Sequence, residues 1–174
     1  MKRILAHPSM VVLALAALLL AAGTIWADSP HFTKGTVTST DVVDTAGDCT
    51  GDVDVSFKET GLGDTVSIDY KATASATATY VCVNNGGQCP NAENKQSVQG
   101  PVASPTTTFN SDKNGNIVGT VTLSPPTATP FCPSGQTETL ASVSYSGIKI
   151  TDITNNKSQT ASPSSASCTV FTCP

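Results

Sequence analysis

From Val66 to Cys82 apolar and polar positions alternate without a break. Val66, Ile68, Tyr70 and Ala72 through Ala78 fall on one parity with Tyr80 and Cys82, while Ser67, Asp69, Lys71, Thr73, Ser75, Thr77 and Thr79 fall on the other. A period of two marks a β-strand with one face buried and one face wet, and no helix segregates the two sets. As one straight strand the run would span about 60 Å, far beyond the usual length. This predicts a twisted strand that bends and serves two sheets. The alanines at 72, 74, 76 and 78 support a close approach of a second layer there.

The remaining chain reads as further extended segments separated by turn signals. One spans about Phe32 to Val43, and a second runs from Val53 to Glu59 with Val53, Val55 and Phe57 on one face. After the long run comes a fourth, Ser97 to Phe109, which Pro101 and Pro105 demote to a sheet edge. Ile117, Gly119, Val121 and Leu123 define a fifth. In the sixth, Ala141, Val143 and Tyr145 alternate well, then the parity flips to Ile148 and Ile150, which predicts a β-bulge at Ser146-Gly147. A Ser-rich seventh runs from Gln159 to Thr172. The fold class expected is all-β: an antiparallel β-sandwich of about seven strands, immunoglobulin-like and disulfide-stabilised, with a barrel as the alternative.

Lys2 and Arg3, the apolar run Val11 to Ala22, and Ala27 have the layout of a secretory signal peptide over residues 1–27, leaving residues 28–174 as a single domain. An uncleaved anchor is the competing reading, because the apolar run continues through Trp26. That leader holds the only Trp, the only Arg and both Met. The mature part keeps one histidine, His31, and only lysine as cation, in a chain of net charge −4. This composition argues against a nucleic-acid partner and against an anionic membrane surface. A secreted, extracellular monomer without cofactor is expected.

All six cysteines (Cys49, Cys82, Cys89, Cys132, Cys168 and Cys173) lie behind the leader. An even count there reads as disulfides. Zinc is the weaker reading, since Cys82 and Cys89 are too far apart for a knuckle and no histidine sits nearby. If each segment reverses direction, all six cysteines fall at one pole, with the short turns at Gly61, Asn114 and Asn156 at the other.

Several short motifs keep a fixed order: Phe57-Lys58-Glu59-Thr60-Gly61-Leu62-Gly63, Cys82-Val83-Asn84-Asn85-Gly86-Gly87, Asn94-Lys95, Cys132-Pro133-Ser134-Gly135-Gln136, Ser142-Val143-Ser144-Tyr145-Ser146 and Thr151-Asp152. In this the chain resembles a family of small secreted bacterial proteins of uncharacterised function, from about Phe57 to Thr154. The resemblance implies no activity and no catalytic residues. It implies a Cys82–Cys132 bridge. The other four cysteines allow three pairings, of which Cys49–Cys89 with Cys168–Cys173 is preferred.

No catalytic constellation emerges. A hydrolase needs nucleophile, base and orienting group, and His31 is a lone histidine near the mature terminus. Glycoside cleavage by paired carboxylates is disfavoured by the lack of Trp in the mature part, and Tyr70, Tyr80 and Tyr145 share parity with core residues. Asp44, Asp48, Asp52 and Asp54, with Asp41, form an acidic stretch that is a weak calcium candidate and reads better as a solvated loop. Asn84, Asn85, Gln88, Asn91, Asn94 and Lys95 form an amide-rich loop able to read a polar ligand such as a glycan, although Asn and Gly are also ordinary turn residues. Ice binding by Thr73, Ser75, Thr77 and Thr79 is set aside because one strand is too narrow, and a Lys–Asn isopeptide cross-link because the lysines lie in turns and on wet faces. The function expected is a non-enzymatic extracellular structural or binding and adhesion module for an unknown ligand or surface polymer. The alternatives are a secreted hydrolase and a calcium-dependent carbohydrate-binding module.

Overall fold

The computed structural model describes residues 29–90 and 94–174. The expected leader, residues 1–27, and Asn91 of the amide loop lie outside the described residues. Ten strands follow in order: β1 (His31–Phe32), β2 (Thr38–Val43), β3 (Cys49–Thr60), β4 (Ser67–Asn84), β5 (Lys95–Ala103), β6 (Thr107–Asn110), β7 (Ile117–Leu123), β8 (Gln136–Asp152), β9 (Lys157–Thr160) and β10 (Ser165–Thr169). Among the described residues there is no helix long and apolar enough to cross a membrane.

The strands form two antiparallel sheets. In the four-stranded sheet β3 is central, with β1 and β2 end to end along one side and β7 along the other. In the six-stranded sheet β8 and β4 are central. There β5 and β6 share the outer side of β4, and β9 and β10 share the outer side of β8. Three predicted segments are therefore each cut in two. The breaks fall at Gly35, at Pro105 and at Pro163. Gly35 takes a φ of 77°, a turn conformation, and the prolines carry no N–H to extend a ladder.

The long strand corrects one expectation. β4 has 18 residues but does not serve two sheets; every partner it has (β5, β6 and β8) belongs to the six-stranded sheet. Its length is absorbed within that sheet by two register irregularities against β8, at Thr73/Ser75 and at Thr79/Tyr80. The first places the expected bulge at Gly147, whose φ is 65°. Such insertions increase local twist, so the strand coils without leaving its sheet. The second leaves Ala141 unpaired to β4, which explains the poor alternation around Leu140.

The sheets pack face to face on the apolar parity of β3, β4, β7 and β8, with Val53, Val55, Phe57, Ile68, Tyr70, Val121, Leu123, Ile148 and Ile150 in the core. One end is aromatic. Phe32, Phe57, Tyr70 and Phe109 meet there, the closest ring centroids being Phe57 and Tyr70 at 4.4 Å. Gly119 makes room for this cluster, since a Cβ there would stand 2.8 Å from Phe57 and 2.9 Å from Phe109. The middle is thin and lined by Ala72, Ala74, Ala76 and Ala78. Ala76→Leu is expected to destabilise the domain by about 1–3 kcal/mol through overpacking, and Thr77→Leu, on the outer face, by much less. Equal losses in urea denaturation would refute the assignment of faces.

Three disulfides tie the opposite end: Cys82–Cys132, Cys49–Cys168 and Cys89–Cys173. The bridge implied by the family resemblance forms. The pairing Cys49–Cys89 with Cys168–Cys173 is wrong, and strand geometry says why. Cys168 faces inward from β10, opposite Val143, and meets Cys49 of the other sheet. Cys173 lies beyond the strand end, where the tail, held by the Val170 and Phe171 N–H groups on the Ala141 carbonyl of β8, goes on to reach Cys89. Five residues apart on an extended chain, Cys168 and Cys173 are held away from each other.

Candidate functional site

The two loops singled out by composition, and the turn between β6 and β7, are built on the same kind of turn. In Asp44-Thr45-Ala46-Gly47-Asp48, the Asp44 Oδ1 accepts from the N–H groups of Ala46 (2.8 Å) and Asp48 (3.0 Å). In Asn84-Asn85-Gly86-Gly87-Gln88, the Asn84 Oδ1 accepts from Gly86 and Gln88, both at 2.9 Å. In Asp112-Lys113-Asn114-Gly115-Asn116, the Asp112 Oδ1 accepts from Asn114 (2.8 Å) and Asn116 (2.9 Å). The fourth residue is each time a glycine at positive φ, 87°, 77° and 73°. An Asx side chain that mimics a backbone turn, followed by a left-handed glycine, reverses the chain, closing the β2–β3 hairpin at Asp44 and turning the chain from one sheet to the other at Asp112. The recurring Asx-x-x-Gly spacing is visible in the sequence and marks these residues as turn formers. The N–H groups also hold the Asp112 carboxyl below its usual range, those of Asn116 most strongly.

Asp44 and Asn84 are thus engaged in their own turns. Asp48 is exposed at the end of the first turn, whereas Asp52 and Asp54 stand farther along β3, Asp54 accepting from the Thr122 hydroxyl at 2.6 Å. Among the described residues no three of His, Cys, Asp or Glu gather where they could hold a metal. In the amide loop, Asn85, Gln88 and Lys95 are exposed, and the Asn94 side chain donates to Gln136 Oε1 at 3.4 Å. That contact and the Cys82–Cys132 bridge bring the amide loop beside the proline-rich segment, where Tyr80 Oη donates to the Pro126 carbonyl at 2.9 Å.

A buried acidic pair was missed at the sequence level. Glu59 ends the inward parity of β3 and Asp152 ends that of β8, and both are fully buried. Tyr70 Oη donates to Glu59 Oε2 at 2.8 Å. Asn155 donates to both oxygens of Asp152, through its N–H at 2.8 Å and Nδ2 at 2.7 Å. Glu59 Oε1 has no donor. Burial pushes the Glu59 carboxyl from the ordinary 4.5 up to about 7; Asp152 adds to the rise, while the Tyr70 hydrogen bond and the His31 charge oppose it. Tyr70 is also pushed up, first by burial and then by Glu59. Glu59 therefore holds its proton to higher pH than an ordinary carboxyl. It is sealed inside the domain and open to no substrate.

His31 is exposed on β1, its Nδ1 within 2.8 Å of the Ser29 carbonyl and its Nε2 within 3.2 Å of the Thr60 hydroxyl. No lysine among the described residues is buried. Tyr70 and Tyr145 are buried and Tyr80 half-buried, as their parity implies.

The outer face of the six-stranded sheet is wider than one strand. Register places Ser165, Ser146, Ser75 and Pro101 in one row across β10, β8, β4 and β5. The next row is Ser167, Ser144, Thr77 and Gln99, and the third is Thr169, Ser142, Thr79 and Ser97. The narrowness that counted against a flat array on this face therefore does not hold. Among the described residues, the only hydrogen bond joining two of these side chains is Thr79 Oγ1 with Ser97 Oγ, at 3.4 Å.

These features define a class: a disulfide-fastened, all-β protein of two antiparallel sheets, of the kind suited to an oxidising, extracellular-type environment. Comparison with known proteins finds no match, whether among family models, curated proteins or solved structures.

Proposed function

We propose that this chain is a secreted, non-enzymatic module of immunoglobulin-like type that presents a rigid binding surface outside the cell. The observation that carries the reading is the placement of the disulfides. All three clamp the end that holds the amide loop and the proline-rich segment, and each spans a long stretch of chain. A preordered surface loses less entropy on binding than a flexible one. The immunoglobulin-like description is supported by strand order. Counted as seven segments, the first, second and fifth form one sheet, and the seventh, sixth, third and fourth form the other. The immunoglobulin constant type differs in keeping its fourth strand with the first sheet.

The non-enzymatic reading is supported by the fate of the carboxyls: the pair with altered acidity is enclosed, and Asp44 is occupied in a turn. The resemblance to small secreted bacterial proteins fits the same picture. Screening the disulfide-intact protein on an array of glycans and cell-wall polymers tests it. A specific polymer is expected to bind, Lys95→Ala to weaken it, and Asn114→Ala, in the short turn at the far end, to leave it unchanged. Shift mapping that placed the polymer around Gly61, Asn114 and Asn156 would overturn the assignment.

A further inference from the structure

We propose that the outer face of the six-stranded sheet binds an extended acidic polysaccharide laid along the strands, which goes beyond the surface at the disulfide-clamped end and rests on the binding-module reading. The first observation is chemical. The three registered rows through Ser75, Thr77 and Thr79 carry hydroxyls, one amide and one proline, and no charged side chain. Such a face offers neutral donors and acceptors at regular intervals, about 4.8 Å across strands and about 6.8 Å along them. Those groups suit the hydroxyls and ring oxygens of a sugar chain.

A second observation is one of shape. Open depressions of about 490, 280 and 420 Å³ follow one another along this face. The second and third share Thr79, Ser142 and Thr169, so they adjoin. Together they make a track parallel to β4, longer than one sugar and too shallow to enclose a small molecule.

Charge decides the class of sugar. Lys149 lines the depression at one end of the track and Lys95 the depression at the other. Lys71 stands on the same outward parity one row beyond Thr73. From the row of Lys71 to that of Lys95, no acidic residue occupies an outward position in β4, β5, β8, β9 or β10, and the acid bordering the face at its β10 edge is Asp41 of β2, which lines a depression with Ser144, Ser165 and Ser167. In a chain of net charge −4, a polyanion is repelled by most of the surface and admitted here. Carboxylates on a glycan reach the terminal lysines while its hydroxyls meet the neutral rows between them.

Isothermal titration of an oligogalacturonate into the disulfide-intact protein at low ionic strength tests this, with cello-oligosaccharide as the neutral comparison. Binding of the acidic chain is expected, weakening with added salt. The double variant K95Q/K149Q is expected to weaken it about fivefold, in keeping with two exposed ion pairs. Ser144→Asp places a negative charge at the centre of an exposed row and is expected to abolish it, with the melting temperature of each variant confirming an intact fold. Equal binding of cello-oligosaccharide, or wild-type affinity in Ser144→Asp, would overturn the inference while leaving a binding module. Failure of both probes overturns it as well, and only a wall-polymer array that is also silent removes the binding-module reading. Self-association lost in Ser144→Asp, seen by sedimentation, would assign the face to a second copy and overturn it.

Discussion

Reduction of all three disulfides is expected to unfold this domain at 25 °C. The bridges are separated by 119, 84 and 50 residues along the chain. Loop closure of that size in the unfolded chain is worth about 4–5 kcal/mol each on the chain-entropy model. Three such losses match or exceed the whole stability of an ordinary domain, about 5–15 kcal/mol. Individually, the Cys49/Cys168 double-alanine variant is expected to lose most and Cys82/Cys132 least, the spread staying under about 1 kcal/mol because closure entropy grows only with the logarithm of length. Had Cys168 bonded Cys173, loss of that short loop would be mild; paired as they are, both cysteines close long loops. Urea denaturation of the oxidised protein, the three double-alanine variants and the reduced, alkylated chain checks this. A cooperative transition and intact near-UV dichroism in the reduced chain would show that the core holds alone.

The wild-type protein is expected to lose stability as pH rises from about 4.5 to about 7, and Glu59→Gln is expected to remove that loss. In the folded state the Glu59 carboxyl keeps its proton up to about pH 7, against an ordinary 4.5. Between those values the unfolded chain has released a proton that the folded chain retains, so stability falls with rising pH. The contribution is fully present below 4.5, lost through about 7, and level above it. Its size is about 3 kcal/mol, at roughly 1.4 kcal/mol per pH unit. The groups acting on Glu59 are the Tyr70 hydroxyl from β4, the Asp152 carboxyl from β8 and, through its charge alone, the exposed His31 ring of β1, while its neighbours in register, Phe32 on β1 and Ile117 on β7, are apolar. A glutamine at 59 mimics the protonated acid, its carbonyl accepting from Tyr70. It is therefore expected to match wild type near pH 4.5 and to exceed it by up to about 3 kcal/mol at pH 8. Parallel denaturation curves for the two proteins across this range would refute the retained proton on Glu59.

The acidic pair shows where reading the chain stops. Glu59 continues the inward parity of Val53, Val55 and Phe57, and Asp152 continues that of Ile148 and Ile150. Each was therefore legible as an inward-pointing acid. Their meeting was not, because they belong to different sheets and lie at strand ends, where parity says nothing about which residue of another strand stands opposite. Asn84 and Asp44 went the other way. They read as ligand or metal candidates by composition, while the glycine three residues on already marked a self-capped turn.

Alternation, turn chemistry and bulge position are local quantities, set by φ, ψ and the identity of a few neighbours, so the all-β class, the turn positions and the break at Gly147 could be read along the chain. Cysteine count belongs to the same class of information. The partners of Cys49 and Cys89, the confinement of β4 to one sheet, the buried acidic pair and the registered hydroxyl rows all depend on register between strands distant in the chain. Register is chosen by packing two whole faces together, with a one-residue slip turning each side chain to the wrong layer. A choice made by the packed core as a unit leaves no trace in any single segment, and it first becomes visible when the sheets are assembled.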